Sequence, residues 1–162
     1  MLSEVDSVVH FVSKLLSQRK LSSETIESFR EALRGMLCTH YEDHWFPDKP
    51  FKGSAYRCLR IVGMQIDPLF TGAGAKVGLS KSELVELLPR ELTIWVDPED
   101  VSYRIGEEGS IGILFDGINN FVTLEQENSR PPKIKSCKEQ LIHCMQSPSS
   151  HSNAEAITAV AS

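Results

Sequence analysis

Cys38, His40 and His44 are the nearest approach in this chain to a metal-ligand pattern. Two histidines four residues apart on a helix share a face, and zinc takes thiolate and imidazole ligands in a tetrahedral set. A helix through this stretch should be ending at about Tyr41, however, and Asp48 is the one further donor at hand. Surface or capping histidines are therefore the preferred reading. Acid and base work would need paired carboxylates, and Glu107-Glu108 and Asp97 with Asp100 are the candidates. The first pair falls in a predicted turn, where solvated charge is the ordinary outcome. No Ser-His-Asp or Cys-His order with recognisable flanks occurs, and no glycine-rich phosphate loop. These residues predict no enzyme, no metal and no cofactor.

Two other features concern binding. Leu84, Leu87 and Leu88 fit the LxxLL pattern by which a helix docks in a hydrophobic groove, which would make the chain a transcription coregulator in contact with transcription factors. Leucines at that spacing more often fill a core. Tyr56 and Trp95 lie on predicted strands and are candidates to point away from the aliphatic face. They would form an interface if they shared one exposed face, whereas a lone strand aromatic more often packs under a helix. Spacing leaves that choice open.

The elements that position these residues follow from periodicity. Leu92, Ile94 and Val96 alternate with Thr93, Trp95 and Asp97, the period of a strand with two different faces. Pro98 cannot donate to a ladder, so pairing should stop near Asp97 and restart at Val101, making a bent pair of short strands. Gly106-Glu107-Glu108-Gly109 then turns the chain into a return strand from Ser110 to Phe115. A further strand is predicted over Ala55 to Val62, with Leu59 and Ile61 on its core side. The loop from His44 to Gly53, with two prolines and a glycine, excludes a helix.

Helices are predicted from about 4 to 18, with Ser3 as N-cap, and from Ser22 to about Tyr41, the two forming an antiparallel hairpin. Asp67-Pro68 opens a third, weakened by Gly72 and Gly74, and Ser80-Lys81-Ser82-Glu83 is a capping box leading into the LxxLL segment. The fold class is thus α+β: an N-terminal antiparallel helix pair and short helices packed on a small, mainly antiparallel sheet. One domain is expected over 1–117. Residues 118–162 read as a mostly flexible tail, rich in Pro, Ser and Asn, with one short candidate partner-binding segment around 136–145.

With 162 residues, 41% of them hydrophobic, the chain can bury one core of ordinary size. A net charge of -5 argues against direct nucleic-acid binding, which depends on Lys and Arg neutralising phosphates. No apolar run approaches the roughly 20 residues that span a bilayer, and Glu4 and Asp6 stand where a signal peptide would be basic. No membrane association is expected, and the compartments predicted are cytoplasm and nucleus. The four cysteines contain no CxxC pair and suggest no disulfide framework.

Two long stretches carry a resemblance. Tyr41-Glu42-Asp43-His44-Trp45-Phe46-Pro47-Asp48-Lys49-Pro50-Phe51-Lys52-Gly53-Ser54-Ala55-Tyr56-Arg57 runs on to Ile61. Leu88-Pro89-Arg90-Glu91-Leu92-Thr93-Ile94-Trp95-Val96-Asp97-Pro98 continues from Val101 through Ser110. Together they resemble the first and second boxes of the BTG/Tob antiproliferative family, in particular its short-tailed BTG branch, over residues 1 to about 116. The chain is expected to be a monomer, and the resemblance implies a non-enzymatic adaptor that binds the DEDD-type deadenylase subunit of the CCR-NOT complex, promoting mRNA deadenylation and restraining proliferation. It implies Tyr56 and Trp95 as deadenylase contacts, with Asp97 and Pro98 beside Trp95 as secondary ones. Ser136-Cys137-Lys138-Glu139 is similar to a third box of the short branch, which implies contact with cytoplasmic poly(A)-binding protein. Phe51 departs from the small polar residue usual in the first box, and the tail departs from the branch after Ser147-Pro148-Ser149. Ser147, followed by proline, is a candidate phosphorylation site.

Overall fold

Val5, Val8, Val12 and Leu16 recur at helical spacing, and in the computed structural model, which describes residues 1–117, they are the buried stripe of α1, Leu2–Ser17. Ser3 is not its cap. The helix begins with Met1 as a cap that offers no side-chain bond, and Val5 N–H already donates to the Met1 carbonyl, so Ser3 lies inside the first turn. The acid in that turn, Glu4, pairs with the Met1 amino group. α2, Ser23–Tyr41, starts where Ser22 accepts a hydrogen bond from Thr25 N–H at 3.0 Å. Asp6 near the start of α1 meets Arg34 in the second half of α2 at 2.6 Å, as an antiparallel pair requires.

A 3-10 turn, Glu42–His44, closes α2, and a looped stretch leads to α3, Ser54–Arg57. The predicted strand over Ala55 to Val62 is therefore half wrong, because β1 is confined to Leu59–Val62. Gly53 N-caps α3 at φ 77, and Tyr56 and Arg57 both donate to its carbonyl. This single turn lies below the length at which helical period can be told from alternation. β2, Gln65–Ile66, follows, then α4, Pro68–Lys76, capped by Asp67, and α5, Lys81–Leu87, with the capping box of Ser80 and Glu83 formed in full. The glycines of α4 have a packing cause. A Cβ on Gly72 would lie 2.4 Å from Met36 Cε of α2, and one on Gly74 would lie 2.6 Å from Leu84 Cδ1 of α5.

β3, Glu91–Asp97, β4, Asp100–Ile105, and β5, Ile111–Asp116, complete an antiparallel sheet in the order β2-β1-β3-β4-β5. Pro98 does not bend a strand pair here. β3 and β4 form a regular hairpin from Leu92↔Ile105 to Asp97↔Asp100, joined by Pro98 and Glu99, with Glu99 at φ 65. Pro at the first central position of a turn and a left-handed residue at the second is a two-residue reversal. The Glu99 N–H donates to Glu4 Oε1 at 3.1 Å, which ties that turn to α1.

Leu59, Ile61, Leu92, Ile94, Val96 and Val101 face the helices, and one core joins them to α1, α2, α4 and α5. Leu84 is 0% and Leu88 3% exposed, and Leu87 packs at the core's edge. The LxxLL reading is thereby corrected: Leu84 and Leu88 fill the interior, and Leu87 is partly buried against it. The predicted tail, with Ser136 to Glu139 and Ser147, lies outside the described residues.

Candidate functional site

Arg57 is the residue on which the site is built. Its guanidinium is 0% exposed, and a buried charge persists only when its donors are satisfied and its charge is paired. Nε donates to the Val96 carbonyl at 2.7 Å. NH1 donates to the carbonyls of His44 at 2.6 Å and Lys52 at 2.7 Å. NH2 donates to the Pro50 carbonyl at 2.6 Å and to Asp97 Oδ1 at 2.8 Å. The planar fork of donors thus holds both sides of the 44–53 loop and the end of β3. Gly53 is required at its edge, since a Cβ there would approach NH1 to 3.1 Å at a φ that side chains disfavour.

Tyr41 fastens the knot to α2. Its hydroxyl donates to the Arg57 carbonyl at 2.9 Å, and burial pushes its ionisation far above the ordinary value, so it remains a donor. Trp45 lies half-buried against Tyr41 and beneath the Arg57 guanidinium, whose carbon is 5.4 Å from the indole centroid.

Tyr56 precedes Arg57 and Trp95 precedes Val96, so each ring sits one residue from this knot. Tyr56 is on α3, not on a strand as predicted, and is 43% exposed. Trp95 is half-buried on the face of β3 turned away from Ile94 and Val96, opposite Ser102 of β4 and with Arg104 6.0 Å from its ring. Asp97 and Pro98 are both buried, Asp97 at 2% exposure. They are buried and not displayed beside Trp95, the Asp97 carboxylate being turned inward to neutralise Arg57.

His40 and His44 do converge, but on Tyr56 and not on a metal. The His40 ring stacks on Tyr56 at 4.2 Å between centroids and the His44 ring at 3.7 Å. Cys38 is half-buried and Asp48 exposed, and among the described residues no three His, Cys, Asp or Glu side chains are grouped to hold a metal. Sequence reasoning missed Arg57. One signal was available: the alternation placed a charge on the same face as Leu59 and Ile61, and a charge on a core face demands a partner.

A helix pair on an antiparallel sheet, with a buried arginine knot beside two aromatic rings, defines a small α+β domain. The family model described as "BTG family" matches residues 1–115. The human protein BTG1 is 44% identical over 160 residues, covering 94% of this chain and 91% of BTG1. Human BTG2 is 43% identical over 150 residues, covering 92% of this chain and 89% of BTG2. Human Tob1 is 38% identical over 117 residues, 72% of this chain and 33% of Tob1. A solved BTG/Tob domain of FOG-3 from C. elegans superposes with a TM-score of 0.64 at 24% identity, over 72% of this chain and 91% of that one, and shares the fold. The chain belongs to the BTG family, an antiproliferative family of regulatory domains, and its class is regulatory.

Proposed function

We propose that this chain is a non-enzymatic adaptor that binds the DEDD-type deadenylase subunit of the CCR-NOT complex through Tyr56 and Trp95, so promoting poly(A) shortening and restraining proliferation. The observation that carries the reading is the exposure of Tyr56, 43% in a residue whose neighbour Arg57 is wholly buried. A ring displayed from a rigid knot loses little conformational freedom on docking, the property of an interface anchor. Family membership supports the same reading. The adaptor's second arm is the Ser136-Cys137-Lys138-Glu139 segment, for which the partner is cytoplasmic poly(A)-binding protein. The buried leucines of α5 do not support a coregulator acting through LxxLL.

The experiment is a binding titration of the purified chain against the deadenylase subunit. Central aromatic anchors are worth roughly 2 kcal/mol or more on truncation, so Tyr56→Ala and Trp95→Ala are each expected to weaken binding about thirtyfold. Melting curves provide the control, because a Trp whose role is core packing costs about 3 to 5 kcal/mol of stability when replaced by Ala. Parental melting together with parental affinity in both variants would remove the assigned surface.

A further inference from the structure

Tyr56 stands between two imidazoles. His40 in the last turn of α2 lies 4.2 Å from its ring centroid with 12° between planes, and His44 in the 3-10 turn lies 3.7 Å away with 13°. Two rings cannot occupy the same side of a third at those distances and angles, so the imidazoles take opposite faces. Yet Tyr56 remains 43% exposed, which leaves its edge and hydroxyl as the surface it displays. The hydroxyl is 3.3 Å from His40 Nδ1. The His44 ring lies in the stack with its shielded Nδ1 lacking a hydrogen-bond partner among the described residues, while its backbone carbonyl is pinned by Arg57 at 2.6 Å.

We infer that His40 and His44 are positioning residues that clamp Tyr56 in its binding rotamer, and that a partner meets this tyrosine through its edge and hydroxyl, not by stacking on its face. The inference rests on the reading of Tyr56 as a partner contact and adds to it the two residues that prepare the contact and the chemistry it takes. With both faces occupied, the complementary feature on the partner is a hydrogen-bonding group at the rim of a slot, and a flat aromatic has no face to cover. The i,i+4 spacing that resembled a metal pair serves instead to set two parallel planes one ring's thickness from a third.

The test uses the full chain and has two readouts. In the free protein, the Tyr56 ring protons are expected to resonate away from random-coil positions under the ring currents of both imidazoles. They should return toward random coil in His44→Ala and His40→Ala and be restored in His44→Phe, which keeps a flat ring. In the titration against the deadenylase subunit, each His→Ala variant should weaken binding by about threefold to tenfold at parental melting temperature, with His44→Phe rescuing most of it. Tyr56→Phe should weaken binding nearly as far as Tyr56→Ala.

Random-coil Tyr56 resonances in the parent would overturn the clamp whatever the partner does. Shifted resonances with parental affinity in both histidine variants, alongside a weakened Tyr56→Ala, would overturn the positioning role. Parental affinity of Tyr56→Phe would overturn the edge-and-hydroxyl contact. Parental affinity of Tyr56→Ala would instead reject Tyr56 as a contact, a failure of the adaptor reading that the free-protein resonances separate from the clamp.

Discussion

Arg57 shows what one residue can decide. Five hydrogen bonds, one of them the ion pair with Asp97, converge on a side chain in the interior, and its removal would leave the Asp97 carboxylate buried without its cation. Breaking a buried pair from one side costs about 3 to 5 kcal/mol, a large share of a small domain's roughly 5 to 15. Arg57→Ala is accordingly expected to lower the urea midpoint sharply and, by freeing the 44–53 loop, to abolish deadenylase binding. Asp97→Ala should lose stability similarly. If Asp97→Ala lost affinity at an unchanged midpoint, the carboxylate would be a surface contact after all. Denaturant titration of both variants distinguishes the two cases.

Among the elements, α5 and the first turn of α1 carry separate expectations. Leu84 is wholly enclosed, against Gly74 of α4, so Leu84→Ala should cost about 2 to 5 kcal/mol by emptying core volume. A selective loss of transcription-factor contact with no change in melting would restore the groove reading of that helix. Glu4 joins α1 to the β3–β4 turn. Burial alone would raise its carboxyl, but hydrogen bonds from the Met1 amino group, from the Glu99 N–H and from its own backbone outweigh burial and hold it below its ordinary value. A carboxyl lowered on folding contributes stability above its unfolded value and loses it as pH falls through the folded one. The melting gap between the parent and Glu4→Gln should therefore be full near pH ~7 and close below about pH 4. A gap that stays constant through acid titration would show that Glu4 acts by shape and not by charge.

At the scale of the molecule, the described core draws on residues from Val5 to Phe115 alone, and the family match spans 1–115. A chain ending at Gly117 should therefore melt within a few degrees of the parent and keep its affinity for the deadenylase. The same truncation should lose contact with poly(A)-binding protein, whose assigned segment is Ser136 to Glu139. Calorimetry and two pull-downs check the three expectations together, and a large drop in melting temperature would mean that residues beyond Gly117 complete the core.

Several features were determined by the sequence alone. Ser22, Asp67 and the Ser80–Glu83 box specify where three helices begin, because capping is a contact between residues at most three apart. The alternation over Leu92 to Val96 likewise specifies which face of β3 is core. Local chemistry suffices for both. Tertiary structure decided the rest. The turn of helix at Ser54–Arg57, the inward carboxylate of Asp97 and the hairpin through Pro98 and Glu99 each depend on groups 39 to 95 positions away, where Arg57 meets Val96 and Asp97 and Glu4 meets Glu99. The same holds for Tyr56, whose exposure could not be read from alternation. Its ring is flanked by a helix end and a 3-10 turn whose His44 carbonyl is bound by the buried Arg57, and the satisfaction of a buried charge is a property of the whole fold.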